Sequence, residues 1–144
     1  MTAVRQISVF LENRKGSLAA VCSLIGKNGI NILALSIVEK DSFGVCRMIL
    51  NSTEKAAEIL KKRGYTVRVQ DVLVVKVPDR PSGLAEVLEV IEKEDISVEY
   101  LYSFVENERG SARLIFRLSD AERAEAALKM KGVEIIGVPQ ADET

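Results

Sequence analysis

Hydrophobic and polar positions alternate with two distinct periods along this chain, and the switches between them mark its elements. Ile7, Val9 and Leu11 recur at every second position from Val4 to Leu11, the signature of a strand with one buried face. Leu18, Val21, Cys22 and Ile25 then follow the i, i+3, i+4, i+7 spacing of an amphipathic helix, which Gly29 ends. Two apolar runs, Ile30 to Val38 and Gly44 to Leu50, flank the polar stretch Glu39 to Ser42 and predict an antiparallel hairpin with those four residues at its tip. Ser52 or Thr53 is placed to cap a second helix that buries Ala56, Ile59 and Leu60 and stops at Gly64. Tyr65, Val67 and Val69 alternate with polar residues in a fourth strand that has one wet face.

The same order then returns. Asn13 to Val21 aligns without gaps on Asp79 to Val87, and Gly44 to Ile49 on Gly110 to Ile115, both at an offset of 66 positions. Val72 to Val77 is the new first strand, and Leu84, Val87, Leu88 and Ile91 form its helical stripe. Ile96 to Phe104 and Ser111 to Leu118 flank the tip Glu106 to Arg109, Ala121 to Lys131 is helical, and Val133 to Val138 is the last strand. The chain is therefore two copies of a β-α-β-β-α-β unit, an α+β fold of two ferredoxin-like modules, each an antiparallel sheet with its helices on one face. Module one is assigned to residues 1–70 and module two to residues 71–138, with residues 139–144 as a polar tail expected to fray. Only Asp71 separates the copies, and modules of this size gain stability by leaning on each other within a chain or across a homodimer.

Composition narrows the chemistry. Lys and Arg total 20 against 21 Asp and Glu, and no basic block stands out, so a nucleic-acid partner has no electrostatic support. Histidine is absent, which removes the commonest general base, metal ligand and nucleophile partner. An enzyme is not expected, nor a cofactor or metal. Cys22 and Cys46 lie inside apolar patterns with no metal-clip spacing and are read as reduced core residues. No apolar run is long enough for a membrane span and no leader precedes the first strand, so the expected location is the cytoplasm, away from membranes.

One segment gathers polar side chains at a helix start. Between the first strand and first helix the chain reads Asn13-Arg14-Lys15-Gly16-Ser17-Leu18. A helix N-terminus presents free backbone N–H groups to an anion, glycine permits close approach, and a carboxamide can meet both the ammonium and the carboxylate of a free amino acid. Ile30-Asn31-Ile32 opens the second strand and is expected to bring a second carboxamide near the same end of the sheet.

A strand ending in Asn-Arg-x-Gly, a Leu-x-x-Val helix and a Gly-Ile-Asn-Ile strand opening resemble the ACT domain, a small amino-acid-sensing module, once per repeat. The resemblance implies that the strand–helix loop of one module and the second-strand start of a neighbouring module close around an amino-acid effector. Carried over by position, it implicates Asn13, Gly16 and Asn31, with Arg14, Lys15, Ser17, Leu18, Ile30 and Ile32 around them. Some serine-binding members carry His two residues before the loop Asn, where this chain has Leu11. In the second copy the two Asn positions are Asp79 and Ser97, and Arg80, Ser82, Gly83 and Leu84 complete the loop, so that site is altered or empty.

Plainer roles compete for these residues. Ser17 and Ser82 are read first as helix caps. Asn31 serves a ligand or a tight entry into the strand. Arg14, Lys15 and Arg80 are solvated or steer an anion. Tyr100, Tyr102 and Phe104 pack a strand or an interface, or form an aromatic platform. Taken together these features describe a non-catalytic regulatory protein that senses an amino acid and signals to a separate metabolic enzyme. Alternatives are a structural or regulatory subunit without a ligand of its own, an acylphosphatase-type hydrolase, whose Gly-rich loop is missing, and an RRM-like RNA binder. The last would need aromatics where the strand reads Gly44-Val45-Cys46-Arg47.

Overall fold

A computed structural model describes residues 3–141. In chain order the elements are β1 (Val4–Glu12), α1 (Ser17–Lys27), β2 (Ile32–Lys40), β3 (Phe43–Leu50), α2 (Thr53–Lys62), β4 (Thr66–Pro78), α3 (Gly83–Lys93), β5 (Val98–Ser103), β6 (Ser111–Leu118), α4 (Ala121–Met130) and β7 (Ile135–Ile136). They form two compact units, one built from Arg5–Gln70 together with residues 138–141, the other from Asp71–Gly137 together with residues 3–4. β4 runs unbroken across the division between Gln70 and Asp71, giving residues 66–70 to one unit and 71–78 to the other.

In the first unit the strand order is β2-β3-β1-β4. β3 runs antiparallel to both neighbours, pairing Leu11 with Gly44 on one side and Glu39 with Gly44 on the other. Alternate residues Ile7, Val9, Leu11, Cys46, Met48 and Leu50 bury one sheet face against Val21 and Ile25 of α1 and Ala56 and Leu60 of α2. That face is where most of the unit's stabilisation arises, at roughly 25 cal/mol per Å² of apolar surface removed from water. In the second unit β6 lies between β4 and β5, while β7 pairs with the other side of β4. Its core repeats the first, with Leu73, Val75, Val77 and Phe116 packed on Val87, Ile91, Ala124 and Leu128.

Five local expectations are corrected. The first hairpin tip is Asp41-Ser42 rather than four residues, because Asp41 takes the left-handed conformation (φ 56°) that a tight turn needs and Asp tolerates. The last strand shrinks to Ile135–Ile136. Leu84, expected in the α3 stripe, is 37% exposed. The segment 139–141 does not fray: Gln140 Oε1 accepts from Thr53 N (2.7 Å), Gln140 Nε2 donates to Leu50 O (2.9 Å) and Ala141 N donates to Asn51 O (2.6 Å). Ser52 is the N-cap of α2 by position, but its side chain makes no capping bond, and the acceptor comes from Gln140 instead. Residues 142–144 of the expected tail lie outside the described residues.

Candidate functional site

The loop after β1 is held by its own backbone. Arg14 N donates to Glu12 O (2.9 Å) and Ser17 N to Arg14 O (3.3 Å), and Gly16 turns the chain at φ 87° to serve as the N-cap of α1. Ser17 is therefore the first helical residue and not a cap. Gly16 has no side chain to satisfy the free N–H groups of the helix start, and the first turn holds no acid. The positive end of α1 is left open to solvent chemistry.

Two cavities adjoin this loop. One, of about 330 Å³, is lined by Asn13, Ser17 and Leu18 of the loop and helix together with Ile37, Glu39 and Gly44 of the hairpin. Asn13 Nδ2 donates to Glu39 Oε1 (3.2 Å), while Arg14 Nε pairs with Glu12 Oε2 (3.2 Å). The cavity thus combines an apolar wall from Leu18 and Ile37, a carboxylate and carboxamide pair, and a helix N-terminus. The other, of about 710 Å³, shares Leu11, Glu12, Arg14 and Ser17 with it and extends to Lys15, Gly16, Arg63 and Tyr65.

Asn31 is not at this end. The pairing sets Ile32 opposite Leu50 and Glu39 opposite Gly44, so Asn31 stands at the far end of β2 from Asn13. At the usual strand rise, Asn31 and Glu39 are roughly 25 Å apart. The expected convergence of two carboxamides at one end of the sheet is corrected for this reason: β2 starts where β1 starts, since both run antiparallel to β3. Asn31 is exposed, its N donates to Asn51 Oδ1 (2.8 Å), and its O accepts from Asn51 N (3.2 Å). Ile30 is buried in the core and Ile32 packs against it.

The second copy has a different loop. Arg80 makes two hydrogen bonds to Glu86 in the first turn of α3, at 3.1 and 2.7 Å. The hydrogen bond and then the charge of Arg80 hold the Glu86 carboxyl below its usual value. Ser82 is the N-cap at φ 67°, yet its side chain makes no capping bond, so neither serine caps as expected. Gly83 is required by space, because a Cβ there would lie 2.1 Å from Pro78 O. Asp79 N donates to Gly110 O (3.0 Å). Ser97 repeats the Asn31 arrangement, donating from its N to Ser119 Oγ (2.9 Å). A cavity of about 530 Å³ occupies the position equivalent to the larger one of copy one, lined by Lys76 and Lys131 against Glu86 and Glu134.

Sequence reasoning missed Ile37, Glu39, Arg63 and Tyr65. Glu39 was read as part of a polar hairpin tip, although counting back the antiparallel register from Leu11 would have placed it beside Asn13. Arg63 and Tyr65 flank the glycine that ends α2, a position whose local signal concerns helix termination alone. Both cysteines are free thiols, Cys46 buried and Cys22 partly so, and among the described residues no cluster of metal-ligating side chains exists. Tyr100 and Tyr102 lie on β5 with ring centroids 6.4 Å apart. No helix among the described residues is long and apolar enough to cross a membrane.

Comparison with known proteins agrees with this architecture. The sequence matches the ACT domain pair over residues 1–140. Among solved structures, a protein of Bacteroides thetaiotaomicron is similar at 32% identity, covering 99% of this chain and 98% of its own, with a TM-score of 0.90. The regulatory subunit of aspartate kinase from Thermus thermophilus, in its ligand-free form, shares the fold at 18% identity, 89% and 90% coverage and a TM-score of 0.69. The same subunit from Thermus flavus does so at 17% identity, with 90% of each chain covered and a TM-score of 0.65. No curated protein matches. With both copies of the unit matched over nearly the whole length, the chain belongs to the ACT domain pair family.

Proposed function

We propose that this protein is a non-catalytic regulatory sensor that binds a small free amino acid at the loop between β1 and α1. The observation that carries the reading is the 330 Å³ cavity, where the uncapped start of α1 meets Asn13, Glu39, Leu18 and Ile37. A carboxylate is stabilised by the helix N–H groups, an ammonium by Glu39, and a short aliphatic or polar side chain by the Leu18 and Ile37 wall. The two charged ends of an amino acid cannot be buried unpaired, and this cavity offers a partner for each.

Asn31, roughly 25 Å away along its own unit, serves a ligand held by the loop of another module and not its own. By analogy with the regulatory subunits of aspartate kinase that share the fold, ligand occupancy acts on a separate enzyme of amino-acid metabolism. The ligand shifts that partner's equilibrium only through its own preference for one packing of the chain.

A thermal-shift screen against the proteinogenic amino acids, followed by calorimetry, tests the proposal. Asn13→Ala is expected to weaken the best ligand by about 1–3 kcal/mol while leaving the fold intact, because the side chain is exposed and its known bond is to Glu39 alone. Unchanged affinity in Asn13→Ala, Glu39→Gln and Asn31→Ala alike would move the site away from this loop.

A further inference from the structure

The 710 Å³ cavity beside the loop has chemistry that an amino-acid sensor does not require. Glu12 is its sole carboxylate and is already paired with Arg14. Lys15, from the loop, and Arg63, from the end of α2, line the same cavity and form no ion pair among the described residues. Two uncompensated cations from separate elements therefore face one space. The equivalent cavity of the second copy is balanced: Glu86 is paired with Arg80 and Lys76 with Glu108 (3.7 Å), which leaves Lys131 against Glu134. Position in the repeat does not explain the excess positive charge, since the repeat itself supplies a neutral version.

We infer that this cavity of the first module binds a phosphorylated metabolite, at a site separate from the amino-acid cavity. A phosphoryl group carries nearly two negative charges and three acceptor oxygens. The Arg63 guanidinium and the Lys15 ammonium, on separate elements, can address those oxygens from different directions, whereas a carboxylate offers two oxygens in one plane. The volume exceeds what a phosphoryl group fills, leaving room for a sugar-sized remainder between Gly16 and Tyr65. The two ligands share Arg14 and Ser17 as wall residues, so occupancy of one cavity is felt at the other through a single short loop.

Titration calorimetry of the full chain at constant ionic strength, with ribose 5-phosphate as the probe and succinate as a dianion of different shape, decides the matter. Expected is saturable binding of one ribose 5-phosphate per chain. Lys15→Ala and Arg63→Ala should each weaken it about tenfold, the double variant should abolish it, and Lys131→Ala in the second copy should leave it unchanged. Both side chains are exposed, and each variant is expected to keep the parent's melting temperature, checked by thermal unfolding before the titrations. Absence of saturable binding, tighter binding of succinate, full affinity in the double variant, or equal loss in Lys131→Ala would each overturn the inference. The amino-acid reading is tested by different ligands and by Asn13→Ala, so the failure of one leaves the other standing.

Discussion

Single residues decide the shape of the loops in both copies. Gly16 sits at φ 87° with no atom within 4 Å of a built Cβ, so Gly16→Ala carries only the left-handed backbone penalty, about 1–2 kcal/mol in denaturant unfolding. Gly83→Ala also forces a Cβ onto Pro78 O and is expected to cost more than Gly16→Ala despite an ordinary φ. Cys46 gives a pH signature. Burial, and to a lesser degree the neighbouring Cys22, pushes its thiol up from 9.0 to about 12. The unfolded chain loses this proton near pH 9 while the folded chain keeps it, so the folded state binds more protons in between. The stability contributed is intact below pH 9 and falls as pH rises toward 12. Cys46→Ala is expected to flatten that decline in unfolding free energies measured between pH 8 and 11. At this scale the loop glycines were legible from the motif alone, whereas the Arg80 and Glu86 pair was not, because the two are six positions apart and meet only once the loop and the helix start have folded.

At the scale of elements, the helices and strands were legible because each carries one clean period: Ile7, Val9 and Leu11 for β1, Val21 and Ile25 for α1. What failed was anything set by register or by distant chain. Asn13 and Asn31 look adjacent in a motif, yet the antiparallel order puts them at opposite ends of the sheet and brings Glu39 to Asn13 instead. The start of α2 was expected to be capped locally, but its acceptor is Gln140, 87 positions away. Gln140→Ala should destabilise the first unit by about 1–2 kcal/mol, since Thr53 N–H and Leu50 C=O both lose their partner. Asp120, which caps α4 through its bond to Arg123 N (3.2 Å), is the matching position in the second copy. Asp120→Ala should weaken the second unit alone, which hydrogen exchange resolves helix by helix.

Across the whole molecule, duplication supplied two similar scaffolds whose strand–helix loops carry different residues. The first copy has no acid in the first turn of α1, beside Lys15 and Arg63 that form no ion pair among the described residues, while the second carries Glu86 in the first turn of α3, held by Arg80. One amino acid per chain, and not two, is the expected stoichiometry in calorimetry. The bonds of Gln140 and Ala141 also set an order of events during synthesis. At 5–20 residues per second, a ribosome needs roughly 4–17 s to translate from Thr53 to Gln140, and all of the second unit's strands and helices are made in that interval. The module encoded first is thus the one completed late, and a nascent chain stalled before Gln140 holds the β1–α1 loop on a scaffold whose second helix still has an open start.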